Sequence, residues 1–181
     1  MNPSTTGMDT DLGRRAAGIR LAIFDVDGVL TDGKLFFMPD GTEFKSFNTL
    51  DGHGIKMLMA SGVEVAIISG RKSPLVEKRA ANLGIKHLIQ GREDKLNALS
   101  ELRAILPFEL EQIAFLGDDL PDLPVMRRVG LGVAVATADS FVREHAHCVT
   151  GAAGGAGAAR EFCEMIMAAQ GTLDKTREAY L

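Results

Sequence analysis

The sequence predicts an α/β fold: a doubly wound parallel sheet with a small β-hairpin flap and no separate cap domain. Three observations carry that expectation. Short apolar runs recur along the chain, helical apolar stripes lie between them, and one Pro-Asp-Gly turn breaks the alternation early.

The apolar runs fall at 21–24, 63–68, 87–89, 113–116 and 131–135. Runs of that length suit strands covered on both faces, as in a parallel sheet. Between them, Ile55, Leu58 and Met59 recur at helical spacing. Ser73 followed by Pro74 reads as an N-cap with proline at the first helical position, and Gly84 as the stop of that helix. Leu96, Leu99, Leu102 and Leu106 form a further stripe, and Phe162, Met165 and Ile166 a last one. Strands alternating with helices imply right-handed crossovers and a Rossmann-like sheet. Residues 34–38 and 42–48 read as two strands joined by Pro39-Asp40-Gly41. Directly after the first strand, this hairpin is expected over that strand's carboxyl end. Residues 1–18 show no periodicity and read as a flexible arm, so the main domain spans 19–170 and a polar, loose tail spans 171–181. The Gly- and Ala-dense stretch 151–159 reads as a flexible lead into the last helix; the alternative is that the C-terminal segment reaches into a neighbouring site and helps retain substrate, as its glycines permit.

Composition narrows the function classes. A chain of 181 residues with 46% hydrophobic content fits one domain with a real core. A net charge of -4 argues against a nucleic-acid surface, and no Trp with one Tyr argues against an aromatic stacking platform. Cys148 and Cys163 make neither a disulfide framework nor a zinc site, and free thiols fit a reducing cytoplasm. No apolar run approaches the ~18 residues of a membrane span, and the N-terminus lacks a signal-peptide core. The expectation is a soluble cytoplasmic protein with no membrane or nucleic-acid partner.

The chemistry concentrates at strand ends. Asp25 and Asp27 follow the run 21–24, and Gly28 lets the chain turn sharply and approach a ligand. Ligand sites of open α/β sheets lie at the carboxyl ends of strands, where paired carboxylates need a cation or hydrogen bonds. A turn-forming or calcium-type Asp pair is the competing reading. A second cluster, Asp118, Asp119 and Asp122, follows the run 113–116. Carboxylates from two strands suit Mg2+, which prefers oxygen ligands; a helix N-cap is the alternative. Ser69, with Gly70 and Arg71 behind it, stands where a hydroxyl and backbone N–H groups bind phosphate oxygens. Lys95 near a helix start works against the helix dipole, which hints at another task. Taken singly, Ser69 and Lys95 also read as a loop serine and a surface lysine.

Asp25-Val26-Asp27-Gly28-Val29-Leu30-Thr31, Ser69-Gly70-Arg71, Lys95 and Gly117-Asp118-Asp119-Leu120-Pro121-Asp122, in that order, resemble the four motifs of the haloacid dehalogenase superfamily phosphatases. The segments 47–54, 69–73 and 154–161 are similar to those of its members that act on sugar acid phosphates in lipopolysaccharide synthesis. The resemblance implies a Mg2+-dependent phosphatase. In it Asp25 is the nucleophile, Asp27 the general acid and base, and Ser69 and Lys95 hold the phosphoryl group. It implies Asp25, the Asp27 carbonyl and Asp118 as metal ligands, with Asp119 and Asp122 orienting them. It places Asn48, Thr49, Leu50, Asp51, Gly52, Lys56, Arg71, Arg79 and Lys95 around the sugar acid phosphate. It also implies a homotetramer in which each hairpin helps cap a neighbouring site. A nine-carbon sugar acid phosphate as substrate, or a catalytically silent metal-binding scaffold, are the rival readings.

Overall fold

The wholly apolar run Leu21–Phe24 forms β1, buried along its length. Its neighbours on either side are β4 (Glu64–Ser69) and β6 (Ile113–Gly117), both parallel to it. β5 (His87–Gln90) extends the sheet beyond β4, and β7 (Leu131–Ala134) and β8 (Cys148–Val149) extend it beyond β6. The order is β5-β4-β1-β6-β7-β8, all parallel. Consecutive strands thus diverge to both sides of β1, and the crevice for a ligand opens at the carboxyl ends there. A separate antiparallel pair, β2 (Phe36–Phe37) and β3 (Glu43–Phe44), makes the flap. The expected fold class is the one observed. The flap strands are shorter than the sequence implies, two residues each.

This arrangement is that of a computed structural model, which describes residues 10–181. The arm reading for residues 1–9 lies outside the described residues. Residues 10–17 form a helix, α1 (Thr10–Ala17), because Leu12, Ala16 and the following Ile19 give it an apolar face to set on the core. The main helices are α2 (Thr49–Ala60), α3 (Pro74–Leu83), α4 (Lys95–Ile105) and α7 (Ala158–Ala169). The shorter α5 (Leu123–Met126), α6 (Ser140–His145) and α8 (Leu173–Glu178) complete the set. The tail read as loose therefore contains a helix, seated by the buried Leu173.

Local chemistry sets the boundaries. Asn48 accepts a hydrogen bond from the Leu50 N–H at 2.8 Å and starts α2. Gly84 ends α3 in the left-handed conformation, φ +81°. Inside, the Phe24 and Phe162 rings meet edge to face at 5.4 Å and tie β1 to α7. Among the described residues, no helix is long and apolar enough to cross a membrane.

Candidate active site

Asp25 is the first residue past β1, and its N–H donates to the Leu116 carbonyl at 3.1 Å. The chain then turns tightly, with the Val26 carbonyl accepting from the N–H groups of Val29, Leu30 and Thr31. The Thr31 hydroxyl takes the Gly28 and Gly33 N–H groups at 3.3 and 3.2 Å. Gly28 has φ +92°, and a Cβ there would overlap Asp118 Oδ2. Asp118 follows β6 as Asp25 follows β1, so the two carboxylates converge at adjacent strand ends. Oxygens of Asp25, Asp118 and Asp122 lie within 4.8 Å of one another.

Lys95 reaches this group from the start of α4. Its ammonium lies 2.8 Å from Asp25 Oδ1 and also pairs with Asp122 Oδ1. Asp122 is 1% exposed, and its Oδ2 accepts the Asp118 and Asp119 N–H groups at 2.9 and 3.3 Å. Both Asp122 oxygens are thereby occupied. Asp122 thus shapes the turn and anchors Lys95.

Burial, with Asp122's charge added, pushes the Asp25 carboxyl up to about 7 against the pull of Lys95. Burial and the charges of Asp25 and Asp122 push Asp118 up to about 8. Burial disfavours the Lys95 cation, but Asp25 and Asp122 more than offset it and hold its pKa above the ordinary lysine value. One ammonium does not neutralise three carboxylates, and Asp118 Oδ1 is buried without a hydrogen-bond partner. An orphaned buried oxygen among crowded carboxylates fits a hard divalent cation.

Asp25, Asp27, Ser69, Arg71, Lys95, Asp118, Asp119 and Asp122 all line one cavity of about 340 Å³. Asp119 stands at its exposed rim, with Oδ1 taken by the Leu120 N–H. The other residues expected around the substrate do not line it. Thr49, Gly52, Lys56 and Arg79 border a separate groove of about 220 Å³. Leu50 is exposed. Arg79 donates to the Asn48 carbonyl at 3.0 Å and lies over the Phe47 ring. The Asp51 carboxylate is committed to the start of α7, accepting from Gly157 N–H at 3.3 Å and Arg160 N–H at 2.9 Å.

Two features were not read from the sequence. Lys45 and Glu43 form an ion-pair chain between Asp27 and Arg71. The signal was available: two charged residues at period 2 share one face of a strand that also carries Phe44 outward. The 151–157 loop is not a loose lead. A Cβ on Gly154 would overlap the Gly28 carbonyl, and Gly155 N–H donates to Val29 O at 2.9 Å, so the loop braces the turn that carries Asp27.

Residues 87–162 match the model of the haloacid dehalogenase-like hydrolases, the class that this fold and this strand-end carboxylate site define. A Yersinia pestis 3-deoxy-D-manno-octulosonate 8-phosphate phosphatase is 52% identical over 91% of the chain and 88% of its own length. A probable yrbi family phosphatase from Pseudomonas syringae superposes with TM-score 0.94 at 66% identity, over 95% of this chain and 98% of that one. The Moraxella catarrhalis 3-deoxy-D-manno-octulosonate 8-phosphate phosphatase, solved with magnesium, phosphate and KDO, has TM-score 0.94 at 41% identity, over 96% and 100%. The chain belongs to the 3-deoxy-D-manno-octulosonate 8-phosphate phosphatase family of haloacid dehalogenase-like hydrolases.

Proposed function

We propose that this chain is a Mg2+-dependent phosphatase that cleaves 3-deoxy-D-manno-octulosonate 8-phosphate to the free sugar acid and phosphate, a step of lipopolysaccharide biosynthesis. The observation that carries it is the convergence of Asp25 and Asp118 beside Lys95, with Asp118 Oδ1 left unpartnered. The substrate rests on the relatives, one of which is solved with magnesium, phosphate and KDO.

In this reading Asp25 attacks phosphorus and forms a P–O bond while the bond to the sugar oxygen breaks. Asp27 gives its proton to the departing oxygen. It then takes a proton from the water that attacks the aspartyl-phosphate, releasing phosphate and restoring Asp25. Ser69 and Lys95 hold the phosphoryl oxygens, and Lys95 counters their charge. Asp122 keeps Lys95 aimed at Asp25. The Asp25 and Asp118 carboxylates and the Asp27 carbonyl would hold Mg2+, whose charge would shield the phosphate from the nucleophile. Arg71, at the cavity wall, suits the sugar carboxylate.

The finer assignments follow the same reading. Residues 19–170 are the catalytic unit, flanked by α1 and α8. A cytoplasmic homotetramer is supported by two unpaired thiols and by the exposed Leu35, Phe37, Met38 and Phe44 on the flap, which suit a neighbouring subunit. Asn48 to Gly52, Lys56 and Arg79 then act in substrate binding at the assembled site, beyond the cavity of one subunit.

The test is phosphate release from 3-deoxy-D-manno-octulosonate 8-phosphate beside a nine-carbon sugar acid phosphate, with EDTA and with added magnesium. Preference for the eight-carbon substrate, lost in EDTA and restored by magnesium, supports the proposal. Preference for the other sugar overturns the substrate. No metal-dependent release from either leaves the silent scaffold.

A further inference from the structure

Lys45, one residue beyond β3, has a side chain only 2% exposed. A buried ammonium persists only with partners. Its Nζ pairs with Asp27 Oδ1 and lies 3.1 Å from Glu43 Oε1. Glu43 Oε1 in turn lies 3.2 Å from Arg71 on the cavity wall.

The flap has little apolar hold on the body of the protein. Phe37 and Phe44 are exposed, and the stacked pair Phe36–Phe44 lies within the hairpin itself. The ion-pair chain, buried at Lys45 and open to solvent at Arg71, is therefore a main tether of the flap to the site. The backbone of the 26–31 turn is held by its own hydrogen bonds, but those bonds do not fix the direction of the Asp27 carboxyl. Lys45 does, through Oδ1.

We infer that Lys45 is a positioning residue that fixes the Asp27 carboxyl so that Oδ2 faces the leaving oxygen of the substrate. The inference rests on the phosphatase reading above and adds a residue to it. A misdirected Asp27 slows the water step equally for both substrates, but slows ester cleavage, the step that kcat/KM reports, only where the leaving oxygen needs a proton. A sugar alkoxide needs one; p-nitrophenolate departs without one.

The experiment compares wild type, Lys45→Met and Lys45→Arg on 3-deoxy-D-manno-octulosonate 8-phosphate and on p-nitrophenyl phosphate, with magnesium. Positioning of a general acid is worth a part of its ~10²–10⁴-fold contribution, so Lys45→Met should lower kcat/KM on the sugar phosphate ~10–100-fold. That loss should exceed the loss on p-nitrophenyl phosphate by ~10-fold or more, with KM nearly unchanged, and Lys45→Arg should recover most of it. Should Lys45→Met not fold, Lys45→Gln is read by the same ratio. Equal losses of kcat/KM on both substrates, or a change confined to KM, would overturn the inference while leaving the phosphatase reading intact. Wild-type protein inactive on both substrates would overturn both.

Discussion

Gly28 and Asp118 are so closely apposed that the glycine leaves no room for a Cβ without displacing the Asp118 carboxylate. The first Asp-bearing turn thus reaches the second only because residue 28 has no side chain. Its φ of +92° adds a conformational demand. Gly28→Ala should therefore destabilise the fold by about 1–2 kcal/mol and push Asp118 away from Asp25. Expected outcomes are a lower melting temperature and a loss of most magnesium-dependent phosphate release. Full activity in the variant would show that the apposition is dispensable.

The raised carboxyls set a pH dependence. Asp25 and Asp118 ordinarily titrate near 3.8 but are pushed to about 7 and about 8 in the fold. The metal-free native state then binds more protons than the unfolded chain between those values. Stability from this cluster is present at low pH and is lost as pH rises from about 4 to about 8. A cation replaces those protons, so its stabilising effect should grow with pH. Thermal melts with EDTA and with excess magnesium should show a larger magnesium shift at pH 8.5 than at pH 6. A shift that is constant or shrinks with pH would contradict this.

Asp51 accepts two backbone N–H groups at the start of α7. Loss of a comparable cap costs about 1–2 kcal/mol. For a chain of this size, that corresponds to a fall in melting temperature of about 2–8 °C. Asp51→Ala followed by differential scanning calorimetry checks it; an unchanged melting temperature would rule out the capping role.

Much of this was legible beforehand, and the reason is locality. Strands buried on both faces read as unbroken apolar runs, so residues 21–24 and 113–116 marked their own ends, and with them Asp25 and Asp118. Ser73-Pro74 and Gly84 bounded α3 by backbone chemistry within a few residues, although the Ser73 hydroxyl makes no cap bond. What escaped reading depends on distant partners. That Asp51 also caps α7 was not readable, because its partners, Gly157 and Arg160, lie over a hundred positions away. Asp122 carried no sign in the sequence that Lys95 would claim one of its oxygens. Helix α1 has too few apolar residues to declare itself and is stabilised by packing on the core.

The thiols give a separate check on the fold. Burial, then the Glu161 charge, pushes Cys148 up to about 11. Burial, with the Asp51 charge added, also pushes Cys163 upward. The thiolate is the reactive form. At pH 8 the native protein should therefore react slowly with a disulfide reagent such as DTNB, and both thiols should react promptly in urea. Prompt reaction in the native state would contradict the packing around α7 and β8.

The sharpest trial of the account is turnover by Asp25→Asn with magnesium and 3-deoxy-D-manno-octulosonate 8-phosphate, beside wild type. An amide in place of the nucleophilic carboxylate should cut phosphate release by about 10³-fold or more, in a protein whose melting curve still shows one cooperative transition. Release at near wild-type rate from the asparagine variant would mean that phosphorus is attacked by some other group.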